Sequence, residues 1–157
     1  MPEFVVNSLD GHREWLDPVA AWWHRQWGEG MGYSLREAHT AIEQLSAQGG
    51  RQAALAGLVD GVPAGSVFLV QRDLETHRHL SPWLAGLFVL PRFRQMGLGR
   101  LLTAAVVEQA TALGYGSIYL YTAITDFYRR QGWATCEEVI VHDVVHEVMT
   151  RALEPRG

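Results

Sequence analysis

Residues 83–113 read as a strand, a glycine turn and a long helix in direct succession, and few folds accommodate that arrangement. Residues 83–90 form a nearly continuous apolar run, the pattern of a central strand buried on both faces, and Pro91 ends it. The helix that follows sets Leu98, Leu101, Leu102, Ala105, Val106 and Leu113 on one face, with Gly114 placed as its C-cap. Between strand and helix lies Arg94-Gln95-Met96-Gly97-Leu98-Gly99-Arg100. Glycines at such a junction let backbone amides crowd an anion, where free N–H groups and the positive end of the helix dipole both favour it.

Common nucleotide loops do not fit this turn. The chain contains no lysine, which a Walker-type loop requires. Leu102 stands where a GxGxxG dinucleotide fingerprint needs its third glycine. A net charge of -4 argues against nucleic acid as the main partner, and Arg129-Arg130 reads as a solvated helix face. No apolar run reaches the roughly 20 residues of a membrane span, and the N-terminus lacks the build of a signal peptide. Cys136 is the only cysteine, so no internal disulfide forms. A cytoplasmic protein acting away from membranes is expected.

The remaining pattern predicts a single α+β domain over residues 1–157 with a mostly antiparallel sheet. Residues 4–9 read as a strand. Apolar residues between 12 and 27 recur at helical spacing, with the helix starting at Pro18 and capped by Asp17. Gly28, Gly30 and Gly32 suggest a flexible link. Ser34 with Glu37 forms a capping-box pattern for a second helix ending near Gly49-Gly50. Residues 52–59 and 62–70 flank Asp60-Gly61, a hairpin signal. Residues 72–81 read as a polar loop, 117–122 as a strand, 126–131 as a short helix, and 133–141 and 144–149 as strands.

Arg94-x-x-Gly97-x-Gly99 resembles the Arg/Gln-x-x-Gly-x-Gly/Ala signature of GNAT-type N-acetyltransferases. Phe127-Tyr128-x-x-x-Gly132-Trp133 is similar to the FYxxxGF/W pattern of the same superfamily. Relatives usually carry Gly and a basic residue where this chain has Gln95 and Met96. The resemblance implies a three-layer α/β/α fold whose mixed, mostly antiparallel sheet splays between strands 83–90 and 117–122, with Gly86 suited to close backbone approach. It implies acetyl-coenzyme A (acetyl-CoA) as co-substrate and no metal. The diphosphate would lie over the amides of Arg94, Gln95, Met96, Gly97, Leu98, Gly99 and Arg100. The pantetheine arm would run along Leu87, Phe88 and Val89, with Phe127 also at the cofactor.

The implied reaction moves an acetyl group to a primary amine, small-molecule or peptide, by direct transfer in a ternary complex. By position Tyr128 is the catalytic residue that protonates the departing thiolate; a phenol titrates near ~10, close to a thiol. The Val89 N–H is the matching candidate for polarising the thioester carbonyl. Many relatives take a general base from the strand before the turn, but residues 84–88 offer no carboxylate. Asp73, Glu75, His77, His79 or a water relay remain open for that role. Trp22, Trp23, His24, Trp27, Glu29 and Tyr33 suit either a wall for a cationic amine or plain helix packing. The alternative function is a non-catalytic acyl-CoA-binding sensor or scaffold. His142 and His146 stand four apart and on a helix would share a metal, yet their valine-rich surroundings favour strands. A homodimer pairing through residues 139–149 is a further expectation.

Overall fold

The computed structural model describes residues 1–47 and 50–154. Its strands are β1 (Phe4–Ser8), β2 (Ala53–Val59), β3 (Val62–Val70), β4 (Trp83–Val89), β5 (Ser117–Thr122), β6 (Ala134–Val141) and β7 (Val144–Ala152). They form a seven-stranded sheet in the order β1-β2-β3-β4-β5-β7-β6. Neighbours are antiparallel except β4 and β5, which run parallel. Helices α1 (Arg13–Trp23) and α2 (Leu35–Ser46) cover one face, α3 (Leu98–Ala112) covers the other, and the short α4 (Thr125–Arg129) follows β5. This is the expected α+β arrangement in three layers. Among the described residues no helix is long and apolar enough to cross a membrane.

Side-chain alternation along β2 and β3 produces two cores. Ala53, Leu55, Val67 and Leu69 face Leu98, Leu102, Val106 and Ala110 of α3. Ala54, Ala56, Leu58 and Phe68 face Leu16, Val19 and Ala20 of α1 and Ile42 of α2. Successive strand residues point to opposite faces, so covering both faces demands apolar residues at every position. Each large aliphatic side chain so buried contributes about 1.5–3 kcal/mol. Local signals support the same topology. Asp60 and Gly61 adopt φ of +50° and +81°, as a type I′ hairpin turn requires. At the start of α2, Ser34 Oγ accepts from Glu37 N–H at 3.1 Å while Ser34 N–H donates to Glu37 Oε1 at 2.9 Å.

Several expectations are corrected. α1 begins at Arg13 and runs through Pro18, so Asp17 is not its N-cap. Proline removes only the bond to the Glu14 carbonyl, and burial of Leu16, Val19, Ala20 and Trp22 outweighs that loss. Asp17 Oδ1 instead accepts from His39 Nε2–H at 2.8 Å, joining α1 to α2. The expected flexible link starts with a π-helical turn at His24–Gly28, in which Glu29 N–H donates to the His24 carbonyl at 2.8 Å. α2 closes at Ser46, and Gly49, where its end was expected, lies outside the described residues. A 3₁₀ turn at Glu75–His77 interrupts the loop after β3. Leu101 stands in solvent, because the buried stripe of α3 runs through Leu98, Leu102, Thr103, Val106 and Ala110. β7 lies inside the sheet, which leaves β6 rather than the whole 139–149 segment as the open edge.

Candidate active site

β4 and β5 pair only at Trp83↔Tyr119, where Tyr119 N–H donates to the Pro82 carbonyl at 3.0 Å. Beyond that pair the strands part. The strand expected to be buried on both faces is therefore only half-buried from Ala85 to Val89. Gly86 sets the divergence. Its φ is +61°, and a Cβ there would lie 2.4 Å from the Phe68 ring. The β3–β4 register slips between Ser66 and Phe68, the mark of a bulge. Ser66 Oγ holds the kink by donating to the Gly86 carbonyl at 3.0 Å.

Register also decides which backbone groups face the gap. Leu90 N–H donates to the Ala64 carbonyl at 2.8 Å. Hydrogen-bonded pairs alternate in an antiparallel ladder, so Phe88, opposite Ser66, also turns its backbone toward β3. Val89, opposite Gly65, turns its N–H and carbonyl the other way, toward the slot. That carbonyl accepts from Arg94 Nε–H at 2.8 Å. Leu87 lines the cleft. The Phe88 ring packs 5.8 Å from Trp22, with the Arg94 guanidinium 5.8 Å above it.

The turn into α3 is solvent-exposed. Gln95 (φ +64°) and Gly97 (φ +91°) are both left-handed, and Gly97 sits at the N-cap position of α3. The first helical bond runs from Leu101 N–H to the Gly97 carbonyl at 3.1 Å. Among the described residues, the N–H groups of residues 95–100 have no acceptor. Arg94 and Arg100 add positive charge beside them. A Cβ on Gly97 would have nothing within 4 Å, and one on Gly99 would meet the Phe127 ring at 3.5 Å and Val89 Cγ2 at 3.9 Å, both ordinary contacts. The donor set, the open space and the charge fit the diphosphate of a coenzyme A.

A cleft of about 350 Å³ opens between the splayed strands, and Tyr128 and Asp73 both line it. Tyr128 is 6% exposed, edge-on to Phe127 at 5.0 Å and to Trp133 at 6.0 Å. Its hydroxyl makes no hydrogen bond among the described residues, and burial pushes its pKa up to about 12. Asp73, just past β3, is half-buried with no ion pair or hydrogen bond among the described residues, and desolvation pushes its carboxyl up to about 7. Tyr121 of β5 rises to about 12, through burial first and the Asp73 charge second. His146 of β7 meets the Tyr121 ring at 5.7 Å, and its Nδ1–H donates to the Val144 carbonyl at 2.9 Å. The neutral ring then carries its lone pair on Nε2.

Of the four base candidates, only Asp73 lines the cleft. His77 is buried elsewhere, donating through Nε2 to Glu137 of β6 and bonded to Thr76 Oγ1 at 2.7 Å through Nδ1. That contact pins the loop carrying Asp73 to the sheet. His79 stacks on His77, and Glu75 stays in solvent near Arg78. Trp23 and Trp27 reach the cleft, whereas Trp22 is core, His24 Nε2–H donates to the Tyr33 carbonyl at 2.8 Å, and Glu29 is exposed. His142 and Asp143 (φ +49° and +63°) make the β6–β7 turn, so His142 does not share a strand face with His146. Among the described residues no group of three or more His, Cys, Asp and Glu has metal-holding geometry. That Tyr121 and His146 line the same cleft as Asp73 was missed in the sequence; His146 arrives there because β7 inserts beside β5. A larger hollow of about 420 Å³ beside Asp10, Arg13 and Glu43 lies away from all these groups.

The sequence model of the Acetyltransferase (GNAT) family matches residues 16–133. No curated protein matches the chain. Among solved structures, an aminoglycoside 6'-acetyltransferase type Ii is similar with a TM-score of 0.75 at 17% identity, covering 98% of this chain and 99% of that one. An aminoglycoside 6'-N-acetyltransferase complexed with coenzyme A gives 0.76 at 14% identity, with 98% and 99% covered. A GCN5-related N-acetyltransferase from Kribbella flavida gives 0.76 at 16% identity, with 96% and 98% covered. At these identities the likeness is one of fold.

Proposed function

Because the chain belongs to the GNAT acetyltransferase family, we propose that it transfers an acetyl group from acetyl-CoA to a primary amine directly within a ternary complex. The observation that carries this reading is that Tyr128 and Asp73 line one cleft in the gap where β4 and β5 part, with the Val89 backbone turned toward the same gap. When bound, acetyl-CoA supplies an acetyl group already activated as a thioester.

The chain's own groups divide the remaining work. The amides of residues 95–100, with Arg94 and Arg100, hold the diphosphate, and Gly99 with the neighbouring Phe127 leaves room for it. The slot-facing backbone of Val89, with Leu87 on the cleft wall, orients the arm along the slot; Phe88, expected there too, spends its backbone groups on β3. Val89 N–H donates to the carbonyl oxygen, where negative charge grows during transfer. Asp73 Oδ takes a proton from the incoming ammonium, a step suited to a carboxyl near 7. Tyr128 Oη holds its proton until sulfur departs.

Burial alters the acid's match. At about 12 the phenol is a weaker acid than the unperturbed ~10 that sequence alone supplied. A thiol buried in the same cleft would be raised by the same cause. Calorimetry with coenzyme A, together with thiol release across an amine panel, tests the proposal. A chain that binds coenzyme A and releases thiol only at the hydrolytic background is a sensor instead, and one that binds none fits neither reading.

A further inference from the structure

The walls of the cleft restrict which amine can enter. Trp23, at the end of α1, and Trp27, in the π-helical turn, form one side, with Met31 at the rim. Trp23 is held in place by Tyr33, 5.5 Å from its ring, and by the bare backbone of Gly28, where a Cβ would come within 2.5 Å of the indole. Trp27 is set edge-on to Phe88 at 6.5 Å. Asp73 is the only carboxylate among the described lining residues, and no arginine lines the cleft. The other titratable groups facing Asp73 across the cleft are Tyr121 from β5, His146 from β7 and Tyr128 from α4; α1 and its π turn present none.

One carboxylate in an aromatic frame neutralises one ammonium, and its charge combines with the faces of nearby indoles to favour a cation. A second ammonium on the same molecule would be stripped of water against apolar surface with no partner. At about 350 Å³ the whole cleft is at the small end for ligand pockets, and the acyl arm needs part of it.

Resting on the acetyl-transfer reading above, we propose that the acceptor is a small primary monoamine with an apolar or aromatic body. Its ammonium sits at Asp73 and its body lies against Trp23 and Trp27, and polycationic amines are excluded. One proton passes from R–NH3+ to Asp73 Oδ, leaving R–NH2 and a neutral carboxyl that returns the proton to water; as the C–N bond forms and the C–S bond breaks, the second proton lost from nitrogen replaces the one that Tyr128 Oη gives to sulfur.

Thiol release with 2-phenylethylamine and tryptamine, against spermidine and tobramycin, tests this. The monoamines should show kcat/KM higher by about 100-fold or more, the discrimination expected for an unpaired buried charge. Trp27→Leu, its fold checked by circular dichroism and thermal melting, should raise KM for 2-phenylethylamine about tenfold, the loss of one cation–aromatic contact. It should leave the Kd of coenzyme A unchanged. A second readout needs no variant: 2-phenylethylamine should quench tryptophan fluorescence of the wild-type protein saturated with coenzyme A, and spermidine should not. Equal or better use of the polyamines, or no quenching by the monoamine, overturns the acceptor assignment while coenzyme A binding keeps the transfer reading standing. Loss of coenzyme A binding by folded wild-type protein defeats both.

Discussion

Trp83 and Tyr119 are the one pair at which β4 and β5 remain in register, and their rings lie 5.9 Å apart. Trp83 is fully buried, and its Nε1–H donates to the Leu80 carbonyl at 2.8 Å. This pair fixes the point from which the cleft widens, three residues before the kink at Gly86. A parallel pair held by a single contact leaves the facing strand edges unpaired, and an extended ligand arm can bond to them in place of a strand.

Gly86→Ala should damage both fold and slot. The new Cβ meets the Phe68 ring, and a φ of +61° is strained for any L side chain. The two penalties together amount to about 2–5 kcal/mol. Denaturant unfolding measures the loss; a variant as stable as wild type would show that the bulge does not depend on glycine.

The two glycines of the turn should behave differently. Gly97→Ala forces a left-handed conformation on alanine, which costs about 1–2 kcal/mol. Gly99 lies inside α3 with ordinary space around its Cβ position, so Gly99→Ala should stabilise the helix by up to about 1 kcal/mol. Calorimetry should nevertheless show weaker coenzyme A binding for Gly99→Ala, because the methyl group occupies the diphosphate's approach. Unchanged affinity would place the diphosphate elsewhere.

Tyr128→Phe keeps the ring contacts with Phe127 and Trp133 and removes only the hydroxyl group. Turnover should fall by about 10²–10³-fold, with the Kd of coenzyme A and the melting temperature little changed. Wild-type turnover in this variant would take the acid role away from Tyr128.

Asp73→Asn separates stability from rate through pH. The carboxyl rises from 3.8 to about 7 on folding. Below 3.8 both states are protonated and the group contributes nothing. Between 3.8 and 7 the unfolded chain releases its proton while the folded chain keeps it, so stability falls as pH rises through that window and then levels off. Asparagine removes the penalty, which is on the order of a few kcal/mol. The variant should melt several degrees above wild type at pH 8 and converge with it toward pH 4. Its acetylation rate should drop and lose the rise centred near pH 7.

Features written in neighbouring residues were legible in the sequence. Asp60-Gly61, the Ser34–Glu37 capping box and the strand Ser117–Thr122 each need only local chemistry, and each formed as read. Gly114, at φ +88° with its N–H on the Thr111 carbonyl, ends α3 as expected. Pro18 misled because its local cost is overridden by a buried face assembled from α2, β2 and β3. The π turn carries no distinct residue pattern. Asp73 was visible only as one of several polar loop residues. Its place on the cleft wall follows from a tertiary anchor of its loop, the His77 contact with Glu137, sixty positions away in sequence.

Gly28 has a consequence for recognition. With no side chain there, the Trp23 indole rests directly on main chain, and the Tyr33 ring lies 5.5 Å from it. The indole thus keeps one orientation in the free protein, and little rotamer freedom remains to be lost when an amine arrives. On the acceptor proposal, selectivity at this wall would be built by folding, before any encounter with a guest. A methyl group at position 28 would displace the indole and convert a fixed surface into one that each guest must first organise.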